Sequence, residues 1–108
     1  MIALIADNLE TIRDLCRTHG IRKLDLFGSA ATGTFDPTRS DLDFIVDLGG
    51  YEPGVSRRLN RFATALEDLF GHKVDLITDE EIENPFFRES VRQQRVNVYG
   101  TGNRQAVA

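Results

Sequence analysis

Cysteine is almost absent: Cys16 stands alone in 108 residues. A lone thiol closes no internal disulfide and builds no cysteine-based metal cluster, so the expected setting is a reducing one, the cytoplasm. Long apolar runs are missing too. No uncharged stretch approaches the roughly 20 residues that cross a bilayer, so no membrane helix is expected. Met1–Ile5 is apolar, but Asp7, Glu10, Arg13 and Asp14 follow at once, without the basic start and long apolar stretch of a signal peptide. Basic residues are in deficit: 13 Lys+Arg against 17 Asp+Glu leave a net charge of −4. Broad nucleic-acid binding needs a basic footprint, so this balance argues against it. Repeats and low-complexity tracts are also absent. What remains, 41% hydrophobic and 28% charged, is the balance of a globular chain. The length fits one domain with a small core, expected over residues 1–100, with a polar tail at 101–108 that frays.

Periodicity outlines the elements. Ile5, Leu9, Ile12, Leu15 and Cys16 recur at helical spacing, with Asp7, Glu10, Arg13, Asp14 and Arg17 on the other face and Gly20 as the stop. Lys23–Phe27 alternates and predicts a short strand, which turns at Gly28-Ser29 into about one helical turn. Asp36-Pro37 predicts a turn. Asp41–Leu48 places Leu42, Phe44 and Val46 on one face and Asp41, Asp43, Ile45 and Asp47 on the other, and apolar residues on both faces predict a central strand. After a loop at 49–54, Leu59, Phe62, Ala63, Leu66, Leu69 and Phe70 form a second helical stripe closed by Gly71. Lys73–Thr78 predicts a strand, 79–83 and 85–94 short helices, and Val96–Tyr99 a last strand. The order predicts an α+β fold: a small mixed sheet with helices packed on it.

Three aspartates and one turn carry candidate chemistry. Asp41 and Asp43 lie two apart on a strand, so their carboxylates share a side and repel. A divalent cation resolves that conflict, and carboxylate oxygens are the ligands hard Mg²⁺ prefers. A solvated strand end with two surface aspartates is the plainer alternative. Asp75 interrupts an apolar strand; it is either paired or metal-bound within the sheet, or on the wet face of an edge strand. Gly28-Ser29 follows a strand and opens a helical turn, where free backbone N–H groups and the serine hydroxyl can hold phosphate oxygens.

Taken together, LFGSAATGTFDPTRSDLDFIV and HKVDLIT resemble the signature of the nucleotidyltransferase superfamily typified by DNA polymerase β. Within it the chain is most similar to minimal nucleotidyltransferases, or MNT domains. The family pattern is Gly-Ser, a spacer, Asp-x-Asp and a later strand with a third Asp. Here it falls on Gly28-Ser29, an eleven-residue spacer Ala30–Ser40, Asp41-Leu42-Asp43 and Asp75. NPFFRESVRQQRVNVYG resembles the end of an MNT domain, and the likeness runs roughly from Leu4 to Gly100.

The resemblance implies a polymerase β palm-like core that binds ATP and two Mg²⁺ ions. It implies Asp41, Asp43 and Asp75 as metal ligands and catalytic residues, with Asp75 able to accept the hydroxyl proton. Gly28 and Ser29 would hold the β and γ phosphates. MNT domains of this size are typically antitoxins whose partner is a helical HEPN ribonuclease, so the implied activity is AMP transfer from ATP to a toxin tyrosine, with association into a homo- or hetero-oligomer. The alternatives are an antitoxin that inhibits by contact alone, and a nucleotidyltransferase acting on a small-molecule or RNA hydroxyl. Other residues read more simply. His19 and His72 suit helix ends, Cys16 suits the core, and Arg88, Arg92 and Arg95 suit a solvated helix face. Arg39 suits either triphosphate or a nearby Asp. Tyr51 and Phe86-Phe87 suit an interface or a packing contact.

Overall fold

The computed structural model describes residues 2–36, 38, 41–50, 52–78 and 85–100, apart from the Phe87 side chain. Arg39, Tyr51, the helix expected over 79–83 and the 101–108 tail lie outside the described residues.

Asn8 divides what periodicity presents as one helix into α1 (Ala3–Ala6) and α2 (Leu9–Thr18). In a continuous helix the Asn8 N–H would donate to Leu4 O. Instead the Asn8 side-chain Nδ2 takes that carbonyl at 2.8 Å, and the backbone N–H turns to Ile5 O at 3.1 Å. Asparagine competes with the helical ladder in this way, and period alone does not register it. Pro37 of the expected Asp36-Pro37 turn lies outside the described residues; beside it Asp36 Oδ1 accepts from the Thr38 N–H at 2.9 Å and from the Thr38 hydroxyl at 2.7 Å.

The remaining elements are β1 (Lys23–Phe27), α3 (Ser29–Thr32), β2 (Leu42–Asp47), α4 (Val55–Phe70), β3 (Val74–Thr78), α5 (Pro85–Gln94) and β4 (Val96–Tyr99). They form a four-stranded sheet in the order β3-β2-β1-β4. β1 runs antiparallel to β2 and β4, and β2 runs parallel to β3. The parallel pair needs a crossover, which α4 supplies. β2 is central, as its two apolar faces predict, and β3 is an edge strand.

One sheet face carries Leu24, Leu26, Leu42, Phe44, Val46 and Val98 into the main core, where Ile12 and Cys16 of α2 and Phe62 and Leu66 of α4 meet them. Burial pushes the Cys16 thiol up to about 12, with Arg17 pulling weakly the other way. The other face holds a smaller cluster of Phe27, Ile45 and Ile77, covered by Val91 of α5. Beside it Asp25 is buried, its Oδ2 accepting from Arg95 Nε at 2.7 Å and its Oδ1 from Asn97 Nδ2 at 2.9 Å. Lys23 Nζ is 3.6 Å away. Arg95 therefore does not belong to a solvated helix face with Arg92, which pairs with Glu89 at 2.8 Å. It lies just past α5 and ties that element to β1. His19 and His72 are likewise more than helix-end charges: His19 packs against Phe62 and His72 meets Phe35 edge-on, with centroids 5.7 and 5.4 Å apart.

Candidate active site

Strand alternation puts Asp43 and Ile45 of β2 on the α5 side of the sheet, opposite Leu42, Phe44 and Val46. Register then sets the neighbours. Asp43 is level with Asp75 on β3 and with Phe27 on β1. Paired strands lie about 4.8 Å apart, so two carboxylates in register are in contact. Asp43 is half-buried and hydrogen-bonded to Asp75. Burial raises its carboxyl above the ordinary range, to about 6, and the charges of Asp75 and Asp41 and the bond to Asp75 push the same way. Asp75 itself is exposed, so the pair lies at the rim of the sheet and is open to a ligand.

Gly28 completes the contact. Its φ of 73° and ψ of −153° fall in a region essentially confined to glycine. A Cβ there would lie 2.7 Å from Asp43 Oδ2. Glycine is thus required twice, by the sharp exit from β1 and by the approach of Asp43. The exit is held by the Gly28 carbonyl, which accepts from the Ala31 and Thr32 N–H groups at 3.1 Å each. Ala30 is buried in the main core and anchors the turn from below. Ser29 opens α3, and among the described residues its hydroxyl has no hydrogen-bond partner. The turn therefore sets a free hydroxyl, that of Ser29, next to the glycine that Asp43 approaches.

Asp41 behaves differently. It precedes β2, and its Oδ2 lies 3.9 Å from Lys73 Nζ, a Coulombic pairing too long for a hydrogen bond. Among the described residues no three His, Cys, Asp or Glu side chains are gathered to hold one metal ion. The structure brings Gly28, Asp43 and Asp75 together, with Asp41 near enough for its charge to act on Asp43 while its carboxylate pairs with Lys73. The Asp43–Asp75 pair does fit a hard divalent cation. Its oxygens share a hydrogen bond where a cation would relieve the same repulsion. Lys73 escaped sequence reasoning because its nearness to Asp41 follows from the parallel β2–β3 register, which periodicity does not reveal. A concavity of about 300 Å³ lined by Thr18, His19, Gly20, Arg58 and Arg61 lies elsewhere, where Arg58 is engaged by Gly20 O at 2.6 Å and Glu52 Oε2 at 2.7 Å.

Known proteins resemble this chain. The chain is 32% identical to a "Putative protein adenylyltransferase" of Methanocaldococcus jannaschii, in an alignment covering 83% of this chain and 97% of that one. A solved "putative minimal nucleotidyltransferase" superposes with a TM-score of 0.68 at 31% identity, over 88% of this chain and 95% of the other. A chain of a toxin–antitoxin complex with AMP-PNP matches with a TM-score of 0.67 at 25% identity, over 88% and 75% of the two chains. A chain of the complex between the tri-AMPylated Shewanella oneidensis HEPN toxin and its MNT antitoxin shares the fold, with a TM-score of 0.60 at 21% identity over 89% and 72%. The sequence profile of the nucleotidyltransferase domain spans residues 9–98, from the start of α2 into β4, and so takes in the Gly28 turn and both strands of the aspartate pair. With that span and the relatives' identity, the chain belongs to the nucleotidyltransferase domain family.

Proposed function

We propose that this protein is an antitoxin that transfers AMP from ATP to a hydroxyl, a tyrosine, of a HEPN ribonuclease toxin and so silences it. The observation that carries the reading is the contact of Asp43 with Asp75 directly against Gly28. It supplies an anionic pair beside a turn with a free hydroxyl. The relatives add chemical context: one is named as an adenylyltransferase, one complex holds an ATP analogue, and one toxin is AMPylated.

Gly28 admits the triphosphate close to the backbone, and the first N–H groups of α3 with the Ser29 hydroxyl bind its β and γ oxygens. Asp43 and Asp75, with Asp41 once it leaves Lys73, would hold Mg²⁺, which when bound neutralises triphosphate charge and favours ionisation of the acceptor hydroxyl. The acceptor oxygen forms a bond to the α phosphorus as the bond to pyrophosphate breaks. Asp75 takes the hydroxyl proton, and pyrophosphate departs with the electron pair of the broken bond. Positioning and charge suffice for this transfer.

One observation favours the contact-inhibitor reading: the Asp41 carboxylate, though near enough for its charge to act on Asp43, is paired with Lys73. Catalysis separates the readings. Incubated with ATP, Mg²⁺ and the toxin, this protein should add the mass of AMP to the toxin and release pyrophosphate. A folded pair that yields neither with any nucleoside triphosphate leaves inhibition by contact. Transfer to a small alcohol or an RNA end in place of the toxin would move the acceptor to the third reading.

A further inference from the structure

Glu67 stands one turn before the end of α4 and is half-buried. Its backbone carbonyl accepts from the Gly71 N–H at 2.8 Å and closes the helix. Its side-chain Oε2 accepts from the Val74 N–H at 3.0 Å. One residue thus fastens both sides of the turn that leads from α4 into β3. The parallel ladder explains why the Val74 N–H needs a partner. Leu42 N–H donates to Lys73 O at 3.0 Å, so Lys73 and Asp75 direct their backbone groups to β2, and those of Val74 point away from it. β3 is an edge strand, and among the described residues no further strand takes that N–H.

We infer that Glu67 is a positioning residue for the proposed transfer: by holding the first residue of β3 it fixes Asp75, the next residue, against Asp43. The same turn bears on the neighbouring carboxylate, because Lys73 Nζ lies 3.9 Å from Asp41. It also meets the loop ahead of β2, because His72 packs on Phe35. The hold of Glu67 on β3 is structural. Its kinetic consequence rests on the nucleotidyltransferase reading, in which a misplacement of about 1 Å at the reacting centre costs on the order of 10²-fold in rate.

Three variants separate reach from charge. Glu67→Gln keeps an acceptor at full reach, Glu67→Asp keeps the charge but is one methylene short, and Glu67→Ala removes both. The readouts are amide hydrogen exchange at Val74 and Asp75, and kcat and KM for ATP in AMP transfer. Glu67→Gln should match wild type in both. Glu67→Asp and Glu67→Ala should exchange these amides roughly tenfold faster, as expected for loss of one well-placed hydrogen bond. Their kcat should fall by about tenfold or more, while KM for ATP stays within about twofold because the Gly28–Ser29 turn is untouched. If Glu67→Ala does not fold, Glu67→Asp carries the comparison. Unchanged exchange in Glu67→Asp, or equal loss of kcat in Glu67→Gln and Glu67→Asp, overturns the inference. Should wild type transfer nothing, the functional reading fails, and the exchange rates still decide whether Glu67 holds β3.

Discussion

Asp43 sits where a carboxylate is expensive: half-buried, level with Asp75 and near Asp41. Its folded-state carboxyl binds a proton up to about pH 6, whereas an unfolded aspartate releases it near pH 4. The sign follows. Below about pH 4 both states hold the proton and the site costs nothing. As pH rises through the interval to about 6, the folded state is the better proton binder and stability falls. Asp43→Asn should therefore stabilise the metal-free protein at pH 7–8. Solvent screening limits the gain to ~0–1 kcal/mol, and it should vanish in melts near pH 4. Transfer activity should be abolished with the fold intact. A variant less stable than wild type at pH 7.5 would contradict this electrostatic account. Gly28→Ala tests the other side of the contact. A positive φ in a region essentially restricted to glycine and a Cβ 2.7 Å from Asp43 Oδ2 predict a loss of about 1–3 kcal/mol, read from denaturant midpoints, and loss of transfer. Unchanged activity in that variant would show that Asp43 has room the structure does not give it.

Elements carry the site because residues far apart in sequence hold them in place. Arg95 bonds the buried Asp25 from 70 residues away, at the end of α5, while Val91 packs the same element over Ile45. Arg95→Ala leaves a buried carboxylate with only Asn97 and Lys23. The expected cost is about 3 kcal/mol, the low end for breaking a buried pair. For a chain this size it appears as a fall in Tm of about 10 °C or more in a thermal melt. A change within 2 °C, roughly a few tenths of a kcal/mol, would mean that the bond adds little to α5. This bond also marks the limit of sequence reasoning. Alternation in DLDFIVDL is a local property, so the central strand was legible, as were the α4 stripe and its Gly71 stop. The Asp25–Arg95 bond, the closeness of Lys73 to Asp41 and the level pairing of Asp43 with Asp75 depend on strand order and register. Those are long-range choices that no period encodes. The break at Asn8 was local yet hidden, because a side chain substitutes for a backbone donor without disturbing the apolar spacing.

At the scale of the whole molecule the parts add up to a nucleotidyltransferase domain. The described residues build one sheet, helices packed on it, and a rim where an anionic pair meets the Gly28–Ser29 turn. No helix among them is long and apolar enough to cross a membrane. Phe86 on α5 is 88% exposed, the largest apolar side chain left in solvent among them. In the proposed reading the rim is the nucleotide side of the reaction, and the acceptor is a separate protein. An enzyme and a contact inhibitor then differ in how much is needed. The deciding measurement is a titration of toxin ribonuclease activity against this protein, with and without ATP and Mg²⁺, using wild type and Asp43→Asn. Catalysis predicts that wild type, well below one equivalent and only with ATP, silences the toxin. The toxin should then stay inactive after separation, because the modification is covalent. Equal protection by both proteins at one equivalent or more, with or without ATP, would contradict the transfer of AMP at Asp43 and Asp75.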